Sequence, residues 1–156
     1  MLEQVHRSLE DYPFLERRVR CTGHVLDQDP SQTTLPARDR DFLRDEYASI
    51  LSSLDDHNFE PGTLHGDPHR GNFLVSPSGY RLIDFESVCS GPREWDLSAL
   101  PGNGAACVSA VDEELLMMLR RLRSVCVAVW CSKRSARSSA LLSAARTHFD
   151  LLRKAA

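Results

Sequence analysis

Between His65 and Glu86 this chain places three oxygen-bearing side chains in an order that suits phosphoryl transfer. Asp67 and Asn72 lie five positions apart on the run His65-Gly66-Asp67-Pro68-His69-Arg70-Gly71-Asn72. Asp84 follows twelve positions later, within Leu82-Ile83-Asp84-Phe85-Glu86. Moving a phosphoryl group asks little covalent work of a protein. It needs a nucleophile deprotonated or oriented at the right moment, and metal ions that neutralise charge on the phosphates. Magnesium is hard and octahedral, so its protein ligands are oxygens from a few carboxylates or amides. Asp67 suits the acceptor of a substrate hydroxyl proton, and Asn72 and Asp84 suit the metal. Gly66, Pro68 and Gly71 break the backbone around Asp67, so these groups sit on a loop.

Such a loop must be held by its neighbours. Phe73-Leu74-Val75 and Tyr80-Arg81-Leu82-Ile83 read as two strands joined by the turn Ser76-Pro77-Ser78-Gly79. That hairpin brings the Asn72 end of the loop close to Asp84 through strand pairing alone. Thr63-Leu64-His65 reads as a short apolar lead into the loop, after a break over Asn58 to Gly62. His69, between Pro68 and Gly71, has the setting of a turn residue that needs a side-chain hydrogen bond. Trp95 reads as a core side chain.

Helices supply the rest. Met1 to Val19 places Leu2, Val5 and Leu9 on one face, with Pro13 as an interruption, and Arg20 to Leu35 reads as a loop. Pro36 to Asp56 carries Leu43, Tyr47, Ile50, Leu51 and Leu54 at the helical period. Arg93 to Leu100 is a short helix closed by Pro101-Gly102-Asn103-Gly104. Asp112 to Ser132 is a long one, with a stripe of Leu115, Met118, Leu119, Leu122, Val125, Cys126, Val129 and Trp130. Ala136 to Arg153 is the last. The expected fold class is α+β, mainly helical, with one small hairpin presenting the loop.

The 156 residues suit one domain, a size that buries roughly 70% of its unfolded surface. A composition 42% hydrophobic and 26% charged is that of a soluble globular protein. A net charge of -3 makes no broad electrostatic case for nucleic acid or an anionic membrane as partner. The longest apolar run, Val125 to Cys131, is too short to span a bilayer, so no membrane segment is expected. Cys21, Cys89, Cys107, Cys126 and Cys131 are odd in number and form no Cys-x-x-Cys pair, which suits reduced thiols in a cytoplasmic protein.

The run His65-Gly66-Asp67-x-His69-x-x-Asn72, then Ile83-Asp84-Phe85-Glu86, then Gly91-Pro92-Arg93-Glu94-Trp95-Asp96-Leu97, resembles the aminoglycoside phosphotransferase and choline kinase-like family. Gly66 and Glu86 distinguish it from the protein-kinase signature, which has Arg and Gly there. The resemblance covers Leu64 to Leu100 and implies the C-terminal lobe of a protein-kinase-like fold. It makes Asp67 the catalytic base and Asn72 and Asp84 the magnesium ligands. His65 and Asp96 become supports of the loop backbone, alongside His69, and Glu86 a neighbour of the metal or the phosphates. The implied activity is transfer of the γ-phosphate of ATP, or another nucleoside triphosphate, to a hydroxyl of a small molecule.

A complete enzyme of this kind also has a lobe that clamps the nucleotide, with a Gly-rich loop and a strand lysine. Before Asp67 the only glycines are Gly23, Gly62 and Gly66, and the only lysines of the chain are Lys133 and Lys154. The expectation is therefore a single domain, 1–156, equivalent to the C-terminal lobe, with the N-terminal lobe absent or a separate partner. Alone it should bind ATP weakly and transfer at background level. Two other functions stay open: a catalytically silent lobe that binds or scaffolds, and an unrelated metal-dependent hydrolase using the same carboxylates. The four-residue spacing of His65 and His69 also occurs in zinc hydrolases, but there on a helix, which Gly66, Pro68 and Gly71 disfavour. Asp55, Asp56, Glu113 and Glu114 could meet a cationic acceptor, and solvated helix ends explain them as well.

Overall fold

Two short runs rich in apolar residues, on either side of Pro77-Ser78, form the hairpin next to the loop. In a computed structural model that describes residues 5–7, 35–101, 108, 110–134 and 138–155, strand β2 (Phe73–Ser76) pairs antiparallel with β3 (Gly79–Leu82). The register sets Phe73 opposite Leu82, Leu74 opposite Arg81 and Val75 opposite Tyr80. The Ser76 hydroxyl donates to the Gly79 carbonyl at 2.8 Å. Gly79 has φ +110, a backbone angle other residues rarely adopt.

A second ribbon lies outside the sequence expectation of a single hairpin. Strand β1 (Gly62–Leu64) pairs antiparallel with β4 (Cys89–Gly91), with Gly62 opposite Gly91, Thr63 opposite Ser90 and Leu64 opposite Cys89. Neither strand has enough residues to show an alternating pattern, and their pairing is non-local. Together the two ribbons bracket the loop: β1 leads into it, β2 and β3 follow it, and β4 closes the segment after Asp84.

The helices match the expected periods, with differences at their ends and on one face. Helix α1 (Ala37–Asp56) has Pro36 at its cap rather than inside it: its ψ of 151 is extended, so helical backbone begins at Ala37. Helix α2 (Glu94–Leu97) is only four residues long, all buried, and residues 98–100 continue as turns bonded back to Asp96 and Leu97. Helix α3 (Glu113–Arg134) starts under Asp112, whose Oδ1 accepts the Leu115 N–H at 3.0 Å. Its buried residues include Leu115, Leu119, Leu122, Val125 and Val129, with Leu116, Ala128 and Cys131 in addition. Trp130, expected in that stripe, is 51% exposed: one position past Val129 it has turned about 100° from the buried face. Helix α4 (Ser139–Ala155) ends with Arg153 and Lys154 in its last turn, which complements the helix dipole. The expected helix over Met1 to Val19 and loop over Arg20 to Leu35 lie outside the described residues, apart from 5–7, which are helical, and Leu35. The architecture is mainly helical α+β.

The described residues fall into two compact units. One comprises 5–7 and 58–120. Its buried centre joins Leu97 and Leu116, with Leu82, Leu100, Val108 and Val111 packed against them. The other comprises 35–57 and 121–155 and is built on α1, the rest of α3 and α4. There the Phe42 and Phe149 rings meet at 5.4 Å, tilted by 58°. The Arg153 guanidinium lies 4.5 Å from the Phe149 ring centroid and donates to Asp39 at 3.2 Å. Arg121 donates to Glu46 at 2.6 Å. Burial holds the Cys131 thiol above its ordinary value, as befits a packed thiol. No helix among the described residues is long and apolar enough to cross a membrane.

His148 in this second unit gives a pH-dependent expectation. Its Nδ1 is 3.1 Å from the Ser124 hydroxyl, and burial, then the Arg123 charge, lowers its pKa from the ordinary 6.5. The folded chain therefore protonates His148 at lower pH than the unfolded chain does. Stability from the neutral ring is complete above the unfolded value and is lost as pH falls through the folded one. Urea midpoints of the wild type should drop as pH falls below the ordinary 6.5, and His148→Gln should flatten part of that drop. Parallel profiles for the two proteins would remove His148 from the effect.

Candidate active site

The loop after β1 hangs on one buried carboxylate. Asp96, in α2, has no exposed surface. Its Oδ2 accepts the His65 N–H at 2.9 Å and its Oδ1 the Gly66 N–H at 2.9 Å. The neighbouring Trp95 indole donates to the Gly66 carbonyl at 2.7 Å. Trp95 is thus a buried side chain, as read from sequence, that also makes a specific bond to the loop. Helix α2 holds both peptide groups that flank Gly66.

Gly66 is required here for two reasons. Its φ is +88, and a Cβ on it would stand 1.9 Å from the Ser87 carbonyl oxygen, a backbone atom. Gly66→Ala should lower the unfolding free energy by at least ~2 kcal/mol, since left-handed backbone alone costs ~1–2 for a residue with a Cβ. Equilibrium urea unfolding checks this; a loss below ~0.5 kcal/mol would mean that the Ser87 segment yields freely.

Past Gly66 the backbone folds back on Asp67. The Asp67 carbonyl accepts the His69 N–H and the Asn72 side-chain amide, each at 2.9 Å. His69 Nδ1 accepts the Gly71 N–H at 2.9 Å and so caps the short 3-10 turn Arg70–Asn72. The His69 Nε2 lies 3.7 Å from the Asp67 carboxylate, and the two side chains are 53% and 42% exposed. Asn72 is buried. Asp67 therefore presents its carboxylate partly to solvent while its backbone is fixed by Asn72.

The strand that delivers Asp84 is tied to the same loop. The Asn72 carbonyl accepts the Ile83 N–H at 2.9 Å, and His65 Nε2 donates to the Ile83 carbonyl at 3.0 Å. The other ring nitrogen of His65 accepts the Asp67 N–H at 3.3 Å. With both nitrogens bonded and no exposed surface, His65 has nothing to offer zinc. Among the described residues no group of three His, Cys, Asp or Glu side chains could hold a metal ion. The Phe85 ring meets the His65 ring at 4.7 Å. Asp84 itself is exposed and left-handed, φ 66 and ψ 68, before the 3-10 turn Phe85–Ser87, and its side chain does not cap that turn. Such an angle in a residue that is not glycine costs ~1–3 kcal/mol and concentrates at functional sites. Glu86 is exposed in that turn. No hydrogen bond among the described residues joins it to the loop.

The structure thus joins Asp67 to Asn72 directly, and Asn72 to the residue before Asp84. Sequence reasoning missed His6, whose Nε2 lies 2.7 Å from Asp96 Oδ2, because no local pattern links residues 90 positions apart. It also missed the β1–β4 pairing and the Trp95 bond.

A helical lobe that holds an Asp-Asn loop on a buried Asp beside a hairpin-borne Asp defines a kinase-like phosphotransferase fold. A profile of the phosphotransferase enzyme family (APH) matches residues 2–134, and the chain belongs to that family. Among solved structures, choline kinase LicA from Streptococcus pneumoniae superposes with a TM-score of 0.74 at 18% identity, over 98% of this chain and 59% of that one. A choline/ethanolamine kinase family protein from Mesorhizobium loti gives 0.67 at 20% identity, over 97% and 58%. Methylthioribose kinase 1 of Oryza sativa subsp. japonica is 33% identical over 103 residues, 66% of this chain and 22% of that protein. Methylthioribose kinase 2 of the same plant is 32% identical over 84 residues, 54% and 18%. The match spans about a fifth of the length of these rice relatives.

Proposed function

We propose that this chain carries the catalytic-loop lobe of an ATP- and magnesium-dependent phosphotransferase acting on a hydroxyl of a small molecule. The observation that supports it best is the bonded chain from Asp67 through Asn72 to Ile83, with the next residue, Asp84, in a left-handed conformation. Asp67 accepts the hydroxyl proton of the acceptor as the oxygen attacks the γ-phosphorus, the bond to the β–γ bridging oxygen breaks and ADP leaves; the Asn72 bond to its carbonyl keeps it in place. His69 and Asp96 hold the backbone on either side, and His65 holds the Ile83 end of the hairpin.

The donor set fits magnesium. Asn72 commits its NH2 to Asp67, which leaves the amide oxygen as the end suited to a hard cation, and Asp84 adds an exposed carboxylate. Bound there with a nucleotide, magnesium would neutralise charge on the phosphates. Two protein oxygens suffice, since magnesium keeps waters and shares phosphate oxygens. Glu86 belongs to the neighbourhood of the phosphates. Exposed Leu74, Ile83 and Phe85 offer apolar surface to a nucleotide base. ATP as donor suits a cytoplasmic location. The family's small-molecule kinases and the rice methylthioribose kinases support a small hydroxylated acceptor.

No lysine precedes Lys133. A phosphate-facing lysine and a covering loop would therefore come from polypeptide beyond these 156 residues, and the isolated lobe should bind nucleotide weakly. Its test is calorimetric titration of ATP with and without magnesium into wild type and Asp84→Ala. Magnesium should strengthen binding to the wild type, and Asp84→Ala should lose most of that gain. Equal magnesium responses would take Asp84 out of the site and end this reading.

A further inference from the structure

We propose that His6 is a positioning residue: it fixes the Asp96 carboxylate and, through it, the backbone that carries Asp67. Asp96 receives three hydrogen bonds in a site with no solvent exposure. Two come from the loop itself, the N–H groups of His65 and Gly66. The third, and the shortest at 2.7 Å, comes from His6 Nε2. A carboxylate only accepts, so His6 donates.

The two loop bonds tie the carboxylate only to the loop that it supports, and its own backbone ties it to α2. His6 ties Oδ2 to a different part of the chain, 90 residues away in sequence. The same oxygen takes the His65 N–H, so the position of His6 is transmitted to the peptide two residues before Asp67. The His6 side chain is only 19% exposed. It lines a cavity of about 520 Å³ with Thr63, Leu64, Glu94 and Asp112, from which water could reach Asp96 if the imidazole were gone. Misplacing a catalytic group by about 1 Å costs about a hundredfold in rate. Loosening this anchor should therefore appear at Asp67 before it appears in the core.

The catalytic consequence rests on the phosphotransferase reading above; the anchoring does not. The test is amide hydrogen exchange, which needs no activity, on wild type, His6→Phe and His6→Gln. Phenylalanine keeps the ring and removes the donor, whereas glutamine offers an amide N–H in place of Nε2. His6→Phe should speed exchange at His65 and Gly66 about ten- to a hundredfold, the range for losing one hydrogen bond to a charged group. His6→Gln should restore most of the protection. The amides of Leu116 to Leu119 are the internal control. Unchanged exchange at His65 and Gly66, failure of glutamine to rescue, or an equal rise at Leu116 to Leu119 would overturn the proposal. In the active protein, His6→Phe should lower kcat about tenfold to a hundredfold with the KM for nucleotide unchanged. An unchanged kcat alongside faster exchange would also overturn it. Full transfer by an Asp67→Asn variant, with exchange still responding to His6→Phe, would instead defeat the phosphotransferase reading and leave the anchor standing.

Discussion

Asp67→Asn is expected to slow phosphoryl transfer by the active protein by about two to four orders of magnitude, the range for a positioned general base. The substitution is nearly isosteric. It keeps the backbone carbonyl that receives the Asn72 and His69 bonds, so the loop should retain its shape. What it removes is the capacity to take a proton. Nucleotide affinity should stay close to that of the wild type, because magnesium and phosphate are assigned to Asn72 and Asp84. Single-turnover rates and nucleotide titrations on the same samples separate the two quantities. A fall in affinity as large as the fall in rate would move Asp67 from proton transfer to metal binding or structure.

Asp96→Ala is expected to destabilise the chain by about 2–6 kcal/mol, twice the cost of leaving one buried donor without a partner. Its carboxylate is wholly buried and satisfies the N–H groups of both His65 and Gly66. An orphaned buried donor costs roughly 1–3 kcal/mol, and here two would be orphaned together. His6 would lose its partner as well. A loss of that size is a large fraction of the ~5–15 kcal/mol that hold a typical domain together. Urea unfolding followed by circular dichroism gives the value, and a loss under ~1 kcal/mol would show that the loop does not depend on this carboxylate. Asp96→Asn keeps one acceptor and should lose less.

Local order was legible wherever the physics is local. The helical periods of α1 and α3, and the Pro-Ser-Gly turn between β2 and β3, depend on residues a few positions apart, and all three elements stand close to where their patterns put them. Asp67, Asn72 and Asp84 could be singled out as candidates because they lie on one loop and the hairpin next to it, where the bonds from Asn72 to Asp67 and to Ile83 need no help from distant chain. The family could be named from the same short stretch, since several spaced residues match in order over Leu64 to Leu100.

Tertiary structure decided what depends on partners far apart in sequence. Strands β1 and β4 are three residues each, too short for a period, and exist through their mutual pairing. Gly66 could be read as a turn glycine, but its necessity comes from the Ser87 carbonyl pressed against it. Trp130 reads as part of the α3 stripe beside Val129, but one residue turns the helix about 100°, and Cys131 and Ser132 are buried while Trp130 faces outward. The anchor on Asp96 is the clearest case. Nothing in the composition of residues 5–7 marks His6, and its role exists only because folding brings its imidazole within 2.7 Å of a carboxylate that already holds the loop. Residue types and spacing determined which groups could do the chemistry. The long-range contacts of the fold determined which groups hold them still.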